Sequence, residues 1–116
     1  MTHETAKNLP QMIDAETSLD SIMSTGRSIS LNHSLVSVEP GDPDIAAIFE
    51  VLRPMVERST CSTPGSKILI DRGVTYRFRY SDSAGNSLQE IVVDKVRCAK
   101  RRKRDLIENP EGLPAT

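Results

Sequence analysis

Apolar residues recur along this 116-residue chain in two distinguishable rhythms. Met12, Ala15, Leu19, Ile22 and Met23 fall three or four positions apart behind Pro10, a residue well placed to open a helix, and Gly26 supplies a stop. That spacing predicts a short amphipathic helix in an N-terminal segment spanning 1–26. Alone it is marginal in water, so its stripe of Met12, Leu19, Ile22 and Met23 is expected to dock on the same domain, a second copy or a partner. Ile29, Leu31, Leu35, Val36 and Val38 then alternate with polar residues, and Asn32-His33-Ser34 reads as the turn of a hairpin. Glu39-Pro40-Gly41-Asp42-Pro43 punctuates the chain, and Asp42 is a capping residue for a helix over 43–57. Its apolar face holds Ile45, Ile48, Phe49, Leu52, Met55 and Val56, and Pro54 either stops or kinks it.

Beyond Pro64-Gly65 the pattern changes to period two. Residues 67–71 read as a short buried strand and Arg72-Gly73 as a turn. Residues 74–80 form a strand with Val74, Tyr76, Phe78 and Tyr80 on one face and Thr75, Arg77 and Arg79 on the other. A turn through Gly85-Asn86 leads to a strand over 88–98, where the unbroken Ile91-Val92-Val93 suggests a bulge or burial on both faces. A basic helix from Cys98 to Ile107 follows. The fold class this implies is α+β: a small antiparallel sheet of three to five strands packed on one main helix, with an N-terminal amphipathic helix and a basic C-terminal segment. Residues 27–98 make the core domain and 99–116 the basic segment and tail.

Charge alters this picture more than overall composition does. Residues 1–51 carry two Lys/Arg against eight Asp/Glu, whereas 52–116 carry thirteen against eight. Lys100, Arg101, Arg102, Lys103 and Arg104 are consecutive. Such a run gains nothing from folding and is expected on a solvated surface, where an anionic partner neutralises it or where it serves as a nuclear address in a cell with a nucleus. Arg77, Arg79, Lys95 and Arg97 join the run in a candidate nucleic-acid-binding face, which works through phosphate contacts with little base reading.

Catalytic chemistry is not legible. His3 and His33 lie in the lead-in and a predicted turn, with nothing beside them to make a nucleophile–base pair. No Gly-rich phosphate loop occurs, and Asp42 and Asp44 are explained by the helix start. Neither a catalytic residue nor a cofactor or metal is expected, because His3, His33, Cys61 and Cys98 lack the close pairing of zinc ligands. The polar start of the chain contains no apolar run, so neither a secretory signal nor a membrane partner is expected, and the reading is intracellular and cytoplasmic. In that setting Cys61 and Cys98 stay reduced, Cys98 being a small apolar strand residue; the alternative is a Cys61–Cys98 staple or redox switch.

From Asp42 onward the element order, a helix, three antiparallel strands and a basic helix, resembles that of double-stranded-RNA-binding domains, on topology alone. The resemblance implies that Lys100, Arg101 and Lys103 straddle duplex phosphates. The glycine-rich approach and the Ser-Lys-Lys start of that helix are absent, and Val96-Arg97-Cys98-Ala99 stands in their place. The function favoured by these features is a small, non-catalytic, RNA-leaning regulatory or accessory protein. The alternative is a protein-binding adaptor or inhibitor of viral or phage type, docking through the 12–23 helix or a sheet edge, with a homodimer among its partners.

Overall fold

The computed structural model describes residues 9–108. Strands β1 (Gln11–Met12), β2 (Thr17–Thr25) and β3 (Ser28–Leu35) are followed by helices α1 (Ile45–Ser62) and α2 (Pro64–Asp71), then strands β4 (Thr75–Ser81) and β5 (Ser87–Val93), and helix α3 (Lys95–Glu108). The five strands lie in chain order in one sheet. It is mixed, because β3 and β4 run parallel while every other pair is antiparallel. Parallel neighbours need a long crossover, and α1 with α2 provides it. The expected purely antiparallel sheet with an N-terminal helix is therefore corrected to a five-stranded mixed sheet with three helices.

The N-terminal helix is replaced by β1 and β2 for a traceable reason. Leu19 pairs with His33 and Ser21 with Asn32, so Asp20 is an extra residue in a bulge. The bulge restores Leu19 and Ile22 to the same face although they are three apart, and this spacing imitates a helical repeat. Gly26 ends no helix; it sits at φ 58° in the tight turn between Thr25 and Ser28, a conformation that costs glycine little.

Asn32-His33-Ser34 is likewise no turn. β3 is a central strand paired on both sides, and these three residues face Ser21, Leu19 and Ser18 on one flank and Arg79, Tyr80 and Ser81 on the other. Their polar groups are met within the sheet: Asn32 Nδ2 donates to Ser21 Oγ at 2.8 Å, and Ser34 Oγ donates to Asp20 Oδ2. Residues 67–71 belong to α2 rather than to a strand. Pro64 opens that helix, Lys67 N donates to Thr63 O at 2.8 Å, and of its apolar residues Ile70 is buried while Ile68 is exposed. Finally, α1 runs past Pro54 to Ser62, and Asp94 Oδ1 accepts from Arg97 N at 2.8 Å to start α3 three residues before Cys98.

Helix α1 packs against β5. Tyr80 of β4 and Ile91 and Val93 of β5 join Phe49, Ile70, Cys98, Leu35 and Val38 in the buried core, with Tyr76 and Phe78 packed against it. Phe49 meets Tyr80 edge-on with centroids 5.5 Å apart, and His33 stacks on Tyr80 at 4.7 Å. Arg77, Arg79 and Glu90 occupy the opposite face. At the β4–β5 connection Asp82 is buried, and its carboxylate accepts from Ala84 N, Asn86 N and Asn86 Nδ2. Burial pushes this carboxyl up, and the amides of Asn86, Ala84 and Gly85 outweigh it to leave it below the usual carboxylate range.

Cys61 and Cys98 form a disulfide between α1 and α3, with Cα atoms 5.5 Å apart. The expectation of reduced thiols with Cys98 on a strand is thereby corrected; the cysteines meet because α3 lies along the C-terminal half of α1.

Candidate functional site

The residues expected to hold nucleic acid do not form one basic face. Arg77 and Arg79 project from β4, and both pair with Glu90 of β5: Arg77 Nη1 lies 3.5 Å from Oε1 and Arg79 Nε 2.9 Å from Oε2. Arg97 Nε and Arg101 Nη1 converge on Glu57 of α1 at 3.7 and 3.6 Å. Glu57 and Arg101 are both buried, so Arg101 faces a carboxylate rather than solvent. Lys95, Lys100, Arg102 and Lys103 are exposed along α3, while the side chain of Arg104 lies outside the described residues. Helical geometry has divided the basic run between an inner and an outer side.

The stripe of Met12, Leu19, Ile22 and Met23 is divided as well. Leu19 and Ile22 share the face of His33 and Leu31, whereas Met12 and Met23 pair with Ser18 and Ser30 on the other face and are about half exposed. Alternation along strands separates what a helix would have aligned.

What the tertiary structure builds instead is an apolar groove of about 650 Å³. One wall is α1, through Ala47, Ile48, Val51, Leu52 and Met55; the other is the link between β1 and β2 (residues 14–16) with Thr17 at the start of β2, together with Leu35. Val51 and Met55 are 63% and 59% exposed, unusual for apolar residues one helical turn apart, and they open directly onto the groove. Asp14 and Glu16 give its rim a negative charge. Asp14 is itself held below the usual carboxylate range, chiefly by the Glu16 backbone amide. Sequence reasoning placed Met55 in the core face and passed over Val51. The available signal was the width of the apolar arc on α1: Ile45, Ile48, Phe49, Leu52 and Val56 already suffice to face the sheet, and Val51 and Met55 extend the arc beyond it.

His33 and Tyr80 lie together in the adjacent interior. Burial, aided by the negative charge of Asp14, pushes the Tyr80 hydroxyl up to about 12. His33 is shifted down from its ordinary 6.5, because burial disfavours the imidazolium more than the Arg79 and Leu31 backbone and the Asp20 and Asp14 charges favour it. A lowered folded-state pKa means that the unfolded chain binds more protons. The contribution of neutral His33 is thus complete above about pH 6.5 and is lost as the pH falls below that value. Urea midpoints at pH 7.5 and pH 5 should show a smaller acid loss for His33→Phe than for the parent; equal losses would contradict this assignment.

No protein-family model and no curated protein matches the chain. Solved structures do. A Pseudomonas aeruginosa protein described as secreted superposes with TM-score 0.69 at 15% identity, covering 84% of this chain and 85% of its own. The pilotin of the Vibrio vulnificus type 2 secretion system follows at 0.66 and 16%, and that of Vibrio cholerae at 0.62 and 16%, each covering 84% of both chains. The shared property is the fold.

Two expectations are corrected on these findings. The RNA-leaning regulatory reading is withdrawn: the structures that share the fold are secretion pilotins and a protein described as secreted, and Arg77, Arg79, Arg97 and Arg101 face carboxylates of the protein itself. The cytoplasmic or nuclear reading is withdrawn with it, since the same neighbours are two secretion pilotins and a protein described as secreted, and disulfides such as Cys61–Cys98 are rare where thiols are kept reduced.

Proposed function

We propose that this chain is a non-catalytic protein-binding module of a secretion apparatus, working in an oxidising compartment and docking an apolar segment of a protein partner in the groove beside α1. The observation that carries this reading is the groove, with Val51 and Met55 held open to solvent on a helix whose other face is committed to the core. The fold shared with two pilotins of type II secretion systems supports it. So does the pairing of Cys61 with Cys98, since disulfides persist outside the reducing cytosol.

The binding chemistry follows from the lining. An amphipathic helix presenting apolar side chains at i, i+3 and i+4 would bury them against Val51, Met55 and Leu35, releasing water from both surfaces. Asp14 and Glu16 at the rim favour a partner with cationic residues beside its apolar stripe. Val51→Asp with Met55→Asp places unpaired charge in this contact and is expected to weaken docking by about a hundredfold or more. Thermal stability should change little, because both side chains are exposed. In a host strain lacking the gene, secretion through the type II system should fail and return with the parent protein but not with the double variant, and a photo-crosslinker at Val51 should join the chain to a component of that apparatus. Secretion restored equally by the double variant would overturn the reading.

A further inference from the structure

The outer side of α3 is not used by the groove, the core or the ion pairs. Its inner side is committed: Cys98 is tied to α1, Arg101 is buried, and Arg97 and Arg101 face Glu57. The remaining arc carries Lys95, Val96, Ala99, Lys100, Arg102 and Lys103, all exposed. These positions fall at helical spacing, so the two apolar residues lie among four cations, and Val96 is 62% exposed. Lys95, Lys100, Arg102 and Lys103 enter no ion pair with a carboxylate among the described residues.

We propose that this face of α3 is an interfacial surface that lies on an anionic lipid bilayer. Four outward cations on one short helix are complementary to a layer of phosphate headgroups, each contributing about fivefold to partitioning. Val96 and Ala99 can enter the headgroup boundary while the lysine and arginine stems extend to the phosphates. No described helix is long and apolar enough to cross a membrane, so α3 rests on the surface rather than spanning it. The absence of an apolar run at the start of the chain bears on spanning a membrane and not on lying at its surface. In the oxidising compartment proposed above, lipid phosphate rather than nucleic acid is the extended polyanion at hand, and on that point the inference rests on the proposed function. The groove lies elsewhere, so vesicle binding and groove docking fail independently.

The test is co-sedimentation of the oxidised protein with vesicles of phosphatidylcholine alone and of phosphatidylcholine with about one-third phosphatidylglycerol. Binding is expected only to the anionic vesicles and should be released by 1 M NaCl, where the screening length falls to about 3 Å. The triple variant Lys100→Gln, Arg102→Gln, Lys103→Gln should bind on the order of a hundredfold more weakly, with an unchanged circular dichroism spectrum. Arg72→Gln, an exposed charge outside α3, should bind like the parent. Inorganic phosphate at 10 mM should not compete. Four results would each overturn the proposal: equal binding to neutral vesicles, no loss in the triple variant, an equal loss in Arg72→Gln, or tighter binding to a nucleic-acid duplex than to the anionic vesicles. Full displacement by inorganic phosphate would assign the face to a soluble anion instead.

Discussion

Reduction of the Cys61–Cys98 disulfide, or replacement of both cysteines by serine, is expected to lower the stability of the fold by about 4 kcal/mol, the loop-closure contribution for a bridge of this span. The two cysteines are 37 residues apart, and the loop between them contains α2, β4 and β5. Without the bridge α3 keeps its pairing with Glu57 and its burial at Cys98, but loses the covalent tie to α1. The urea midpoint should fall steeply when dithiothreitol is added. Hydrogen exchange should show α3 opening before the sheet, because the sheet has its own ladder and core. A midpoint unaffected by reductant would show that α3 is held by packing alone. The result bears on location as well: a protein that depends on this bridge is marginal wherever thiols are kept reduced.

Phe49→Ala is expected to cost about 3 to 5 kcal/mol. The side chain is 3% exposed and sits where α1 meets the sheet, edge-on to Tyr80, which in turn stacks on His33. Truncation leaves a cavity beneath α1 that its neighbours can fill only by moving the helix, and it removes one wall of the aromatic column. Denaturant unfolding should show a lower midpoint with a similar slope. A near-parental midpoint would mean that α1 presents a different face to the sheet. Such a shift would also move Val51 and Met55, so this measurement checks the groove independently of any partner.

How much of this was legible beforehand differs from element to element. α1 was readable because its apolar spacing repeats for several turns and nothing else satisfies it; Pro54 obscured its end, and its start lies at Ile45 with Asp44 rather than Asp42 at the cap position. β4 was readable because Tyr76, Phe78 and Tyr80 alternate strictly with Arg77 and Arg79. β2 was misread because one bulged residue, Asp20, converts an alternating strand into the three- and four-residue spacing of a helix. α2 was misread because a run of Lys67-Ile68-Leu69-Ile70 is too short for periodicity to separate strand from helix, and the position of Pro64 as a first helical residue was the better guide. Of the candidate binding residues, Arg77 and Arg79 were correctly placed on one strand face, yet their neighbour Glu90 was not foreseen because it comes from another strand.

The sequence alone therefore determined the main helix, the strongly alternating strand, the turn at Gly85, and the outward character of Lys100, Arg102 and Lys103, though it placed Arg101 outward with them. These depend on repeats within a single element or on charge that cannot be buried cheaply. Tertiary structure decided the parallel pairing of β3 with β4, the meeting of Cys61 and Cys98, the pairing of arginines with Glu57 and Glu90, and the groove between α1 and the β1–β2 link. Each of these joins residues that are distant along the chain. Local periodicity records which side of an element is apolar, but which other element that side meets, and how much of it is left open, is set only when the elements pack.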